Sequence, residues 1–155
     1  MIETLELSSR PMLYVVTCVS DRASSISSTI KTSLDQVRQL MDERGIAAAG
    51  DPLAVLSDWT GRLVTVEAGY PVDQPVPSLG SSRIQQGLTP AGPAARVVLA
   101  SSLLDHAWRH DQFAAELRSM GHRLTGVGWE VYGDDQVGGG ATTTLYAQLL
   151  VPPGS

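Results

Sequence analysis

The order of elements constrains this chain more than any single motif: strand, helix, strand, strand reads out twice along its 155 residues. In the first half "MLYVVTCVS" (12–20) is a β-branched and aromatic run, hence a strand. Ser24 or Ser25 can then cap a helix. Ile26, Ile30, Leu34, Val37 and Met41 recur at steps of three and four and make one apolar stripe on it, and Gly45 is a natural stop. "DPLAVLSD" follows as a strand, Trp59-Thr60-Gly61 turns the chain, and "RLVTVEAGYPV" returns. The second half repeats this. "ARVVLASSLL" is a strand, and "DHAWRHDQFAAELRSMGH" is a helix with Phe113, Leu117 and Met120 inward. "GVGWEVYGD" and "ATTTLYAQLLVP" are the last two strands. The Pro-, Gly- and Ser-rich stretch 73–94 connects the halves.

The expected fold is therefore α+β. Tandem β-α-β-β modules, about 12–72 and 95–152, share one mostly antiparallel sheet, with both helices on one face and a ligand cleft between the modules. One domain over 1–155 is long enough for a real core. Net charge is −5 with 11 Lys+Arg and no basic run, so direct nucleic-acid binding has little electrostatic support, and cations are the better match. The lone Cys18 sits in the apolar "LYVVTCV" and is expected to be a buried structural thiol. A single cysteine, no signal-peptide pattern and no spanning run point to the cytoplasm and to no membrane contact.

Several motifs are weak. Gly138-Gly139-Gly140 lack the lysine and hydroxyl of a phosphate loop and read as a hairpin loop. His106 and His110, four apart beside Asp105 and Asp111, have no nameable third ligand; they read as a solvated helix end with no metal and no cofactor. No Gly-x-Ser-x-Gly elbow supports a serine hydrolase. Lys31, Asp35 and Arg38 read as a solvated helix face.

Glu130 is the exception, a carboxylate inside the strand "GVGWEVYGDD". Laying "PLAVLSD" over "GWEVYGD" sets Ala54 against Glu130 and Leu56 against Tyr132, so the fold itself asks for no carboxylate there. Alternation puts Glu130 and Tyr132 on one face. In the last strand Leu145, Ala147 and Leu149 are expected under the helices, with Tyr146 pointing the other way. If Glu130 and Tyr132 share that second face, a carboxylate and two phenols converge, which suits a lipophilic cation.

"ELSSRPMLYVVTCVS", "AGYPV", "MGHRL" and the Glu130-x-Tyr132 pair, in this element order, resemble the GyrI-like (effector-binding) family over about residues 7–152. The resemblance implies a free-standing domain that binds aromatic, cationic molecules for drug sensing or sequestration. It implies a pocket glutamate at Glu130 and a pocket tyrosine at Tyr146. Tyr132, Trp108, Tyr14 and Trp59 complete the expected ligand-binding set. The segment "LASSLLDHAWRHD" departs from the family pattern, and Trp108 is the aromatic expected to compensate. No helix-turn-helix fits before the first strand, which leaves DNA contact to a partner regulator. The resemblance also implies an alternative, hydrolysis of cyclopropane-bearing DNA-alkylating compounds. There Glu130, with a raised pKa, would be the general base, and Tyr146 or Tyr132 the hydrogen-bond donor.

Overall fold

The computed structural model describes residues 1–80, 82–100, 105–135 and 140–151. Its strands are β1 (Glu3–Leu7), β2 (Pro11–Ser20), β3 (Leu53–Thr60), β4 (Leu63–Pro71), β5 (Gln85–Leu88), β6 (Gly92–Leu99), β7 (Leu124–Asp135) and β8 (Gly140–Leu149). Its helices are α1 (Ala23–Arg44) and α2 (His106–Ser119). All eight strands form one antiparallel sheet in the order β1-β6-β8-β7-β3-β4-β2-β5. The order is symmetric about its centre. β2 and β6, β3 and β7, β4 and β8 are equivalent, and the short edge strands β5 and β1 pair with β2 and β6 respectively. The α+β expectation holds. The edge strands carry too few β-branched residues to stand out in the sequence, and β5 lies inside the connection.

The modules meet where β3 pairs with β7: Leu53 opposite Val131, Ala54 opposite Glu130, Val55 opposite Trp129. The local two-fold thus passes between Ala54 and Glu130, and the positions that correspond between modules are also neighbours in space. Both helices cover the face that carries these two residues. Ile26 and Ile30 of α1 pack on Ala54, Leu56, Val64, Val66 and Ala68. Phe113 and Leu117 of α2 pack on Ala95, Leu145, Ala147 and Leu149. Gly69 lets β4 lie against β2, because a Cβ there would fall 1.7 Å from the Leu13 carbonyl oxygen. No helix among the described residues is long and apolar enough to cross a membrane.

Local details correct four expectations. The N-cap of α1 is Arg22, without a side-chain cap, so Ser24 and Ser25 lie inside the first turn. Gly45 does end the helix, in the left-handed region at φ 66°. Ser33 is buried where Leu34 was expected, and Leu34 is half-buried at the edge of the stripe. Met120 lies beyond the end of α2 and is exposed. Cys18 is exposed, because strand alternation turns it away from the helices at the open end of β2. Gly138 and Gly139 lie outside the described residues, as do Ser101–Leu104 of the expected strand "ARVVLASSLL".

Candidate functional site

Glu130 lies on the helix-covered face of β7, opposite Leu145 of β8 and Ala54 of β3, and is 0% exposed. A buried carboxylate needs donors for its lone pairs. Three side chains supply them. His106 Nδ1 lies 2.7 Å from Oε2 and 2.9 Å from Oε1. His110 Nε2 lies 3.0 Å from Oε2, and the Tyr132 hydroxyl donates to Oε1 at 2.6 Å. The two imidazoles sit one turn apart on α2, on the stripe that Phe113 and Leu117 continue. Gly128, two residues before Glu130 on the same face of β7, makes room for them: a Cβ there would meet His110 Nδ1 at 2.7 Å.

The network extends outward. His106 Nε2 meets the Ser27 hydroxyl of α1 at 2.9 Å, so one imidazole bridges both modules. An ionised Glu130 requires a proton on Nδ1 of His106, and in the neutral imidazole that leaves Nε2 to accept from the Ser27 hydroxyl. Burial alone would raise the Glu130 pKa. The hydrogen bonds and charge of His106 and His110 outweigh it and bring it down to about 2. The raised value expected for a base is therefore reversed. Tyr132 is pushed well above its ordinary value by burial and then by the Glu130 charge, so it stays a donor.

Above this network, between the helices, opens a cleft of about 350 Å³ lined by Ser27, Ile30, Lys31, Leu34, Asp35, Tyr70, His106 and Tyr132. Its wall is mostly apolar, and its floor is two groups hydrogen-bonded to Glu130. A larger hollow of about 670 Å³, at the far end of α1 against residues 72–78, holds no buried charge.

Of the expected set, only Tyr132 joins Glu130. Tyr146 pairs with Trp129 across β7 and β8 and stacks on it, ring centres 5.0 Å apart, on the opposite face of the sheet. The expected convergence of Glu130 with Tyr146 is thus corrected by register: Glu130 faces the Leu145 side. Tyr14 is on the Tyr146 face as well, its hydroxyl 3.4 Å from Gln85 Oε1. Trp108 is half exposed beside Arg109, and Trp59 borders a small pocket on the far side of α2. The histidine pair is not a solvated helix end, since both side chains are over nine-tenths buried. Lys31 and Asp35 are exposed on α1 yet line the cleft, and Arg38 pairs with Asp42. Among the described residues, no group of three His, Cys, Asp or Glu is arranged to hold a metal ion. The missed residues His106, His110 and Ser27 had one available signal. Extending the Phe113–Leu117 stripe back by three and four reaches His110 and His106.

Fold and site together define a two-module α+β domain with a buried, ionised carboxylate under an open interhelical cleft. The sequence matches no protein-family model and no curated protein. Solved structures do share the fold. The C-terminal domain of EcmrR aligns with a TM-score of 0.77 over 98% of both chains, at 16% identity. SAV2435 bound to tetraphenylphosphonium gives 0.63 over 97% of this chain and 94% of that one, at 8% identity. A hydrolase from Listeria innocua gives 0.55 over 96% and 91%, at 13% identity. At these identities the likeness shows the fold.

Proposed function

We propose that the chain is a GyrI-like binding domain that captures lipophilic, aromatic cations in the cleft between α1 and α2. The observation that carries this reading is Glu130: an ionised carboxylate, wholly buried, answered by the side-chain donors of His106, His110 and Tyr132 and sitting behind the cleft floor. Its charge is weakly screened by solvent. Lys31 and Asp35 on the rim offset each other, so Glu130 sets the sign. Ile30, Leu34 and Tyr70 supply apolar and ring contacts. SAV2435, of the same fold, binds tetraphenylphosphonium, a ligand of this chemistry. Contact with nucleic acid falls to a partner regulator, in keeping with the net charge of −5.

The cyclopropane-opening alternative loses its base. Both oxygens of Glu130 accept hydrogen bonds and its pKa is near 2, so it has little capacity to take a proton from water. Of its two expected donors, Tyr146 is on the other face of the sheet, and Tyr132 donates to Glu130 itself.

Calorimetric titration with tetraphenylphosphonium tests the reading. Wild type should bind. Glu130→Gln, confirmed folded by its melt, should bind more weakly by about 1–3 kcal/mol. Leu34→Trp, at a half-buried wall position, should block the cleft. Equal affinity of wild type and folded Glu130→Gln would overturn it.

A further inference from the structure

We propose that Ser27, His106 and Glu130 form a nucleophile–base–carboxylate relay that cleaves small apolar esters in this cleft. The order of atoms is what the chemistry requires: Ser27 hydroxyl to His106 Nε2 at 2.9 Å, then His106 Nδ1 to Glu130 at 2.7 Å. The three residues come from α1, α2 and β7, so chain order is no obstacle and no elbow motif is needed. The carboxylate end is fixed. His110 and Tyr132 hold Glu130 from other directions, and with Nδ1 of the neutral imidazole donating to Glu130, Nε2 is the acceptor facing Ser27. The nucleophile end is open: Ser27 is exposed and lines the cleft together with His106.

The reaction balances with water as the only co-reactant. Ser27 Oγ attacks the ester carbonyl carbon while its proton passes to His106 Nε2. The carbonyl becomes an oxyanion, and Lys31, one turn further along α1 on the same cleft wall, is the cation available to it. The intermediate collapses, the carbon–oxygen bond to the alcohol breaks, and His106 returns the proton to the departing alkoxide. Water then attacks the acyl-serine by the same route, releasing the acid and restoring Ser27. Glu130 stabilises the imidazolium of each step and takes no proton. Ile30, Leu34 and Tyr70 select an apolar, aromatic acyl or alcohol group, and about 350 Å³ limits its size.

This inference rests on the cleft admitting ligands, as proposed above, but the two are read separately. One aliquot of the intact protein is incubated with a fluorophosphonate probe and a second with p-nitrophenyl butyrate, and the modified peptide is mapped in each. A sample of the same preparation is titrated with tetraphenylphosphonium. The relay predicts one adduct per chain on Ser27, none in Ser27→Ala, and acylation slowed roughly 100-fold or more in His106→Ala. Wild type that binds tetraphenylphosphonium but is not labelled at Ser27 overturns the relay and leaves the binding reading standing. Labelling at Ser27 without cation binding does the reverse. Label spread over Ser24, Ser25 and Ser28, or unchanged in His106→Ala, shows surface reactivity and also overturns the relay.

Discussion

Two stripes, one on each helix, carry the same spacing. On α1 the buried positions Ile26, Ile30, Ser33 and Val37 are separated by four, three and four residues; on α2 His106, His110, Phe113 and Leu117 repeat those steps. Each stripe faces its own module's strand at the two-fold, where Ala54 stands in one and Glu130 in the other. Two isoleucines over an alanine have become two histidines over a glutamate. The backbone is shared, so the difference shows what the fold requires and what the site adds. The fold needs the stripe filled. Nothing in the fold needs the charge.

Breaking the asymmetry by doubling it should have the largest effect. Ala54→Glu sets a second carboxylate beside Glu130 in a position 0% exposed, among the apolar side chains of Ile26, Ile30 and Leu56. It should cost several kcal/mol, enough that a denaturant melt finds little folded protein. A normal melt would mean that β3 can shed the side chain to solvent.

Removing the charge from one side comes next. Glu130→Ala strands His106, His110 and Tyr132 as buried donors and should cost about 3–5 kcal/mol. Acid sharpens the same point. The folded pKa of Glu130 lies near 2, below its ordinary 4.5. Its contribution is therefore fully present above the ordinary value and is lost as pH falls toward 2. Glu130→Gln should flatten the loss of stability across that window, as followed by urea midpoints at several pH values. An unchanged acid limb would mean that the carboxylate is not held ionised.

Converting module two into module one should reverse the sign. Glu130→Ala with His106→Ile, His110→Ile and Tyr132→Leu replaces the charged cluster and its phenol by the set that α1 and β3 already use, Leu56 being the counterpart of Tyr132. Stability should be unchanged or rise by about 1–4 kcal/mol, while tetraphenylphosphonium binding is lost. A large destabilisation would show that the cluster holds the modules together.

Gly128→Ala is the mildest. Its Cβ would press on His110 Nδ1, the end of a side chain that can move. A cost of about 1–3 kcal/mol is expected, with the His110 ring resonances shifted more than those of His106. Equal shifts would place the strain in the backbone of β8 instead, where the Tyr146 carbonyl lies 3.3 Å from the added atom.

Local pattern made the repeat legible. β2, β3, β4, β7 and β8 announce themselves by β-branched and aromatic runs, and α1 by its stripe, because those signals act within a few residues. Glu130 stood out for the same reason, as a charge where a strand wanted an apolar residue, and its pairing with Tyr132 followed from alternation. The face they share did not follow. Alternation fixes which residues of one strand go together, but which side of the sheet they take depends on the register between β7 and β8, and that set Tyr146 opposite. The histidines were hidden for a related reason. Beside Asp105 and Asp111 they look solvated, and only the helix's seating on β7, over the gap at Gly128, buries them.

The sequence by itself determined the elements, the two-module order and the odd carboxylate, because periodicity and composition are local. Only the tertiary structure decided what Glu130 touches. Ser27 and His106 are 79 residues apart, and His106 and Glu130 are 24 apart. They meet because two helices pack side by side on one face of a sheet whose two-fold passes beside Glu130, and contacts between separate elements leave no periodic trace in the chain.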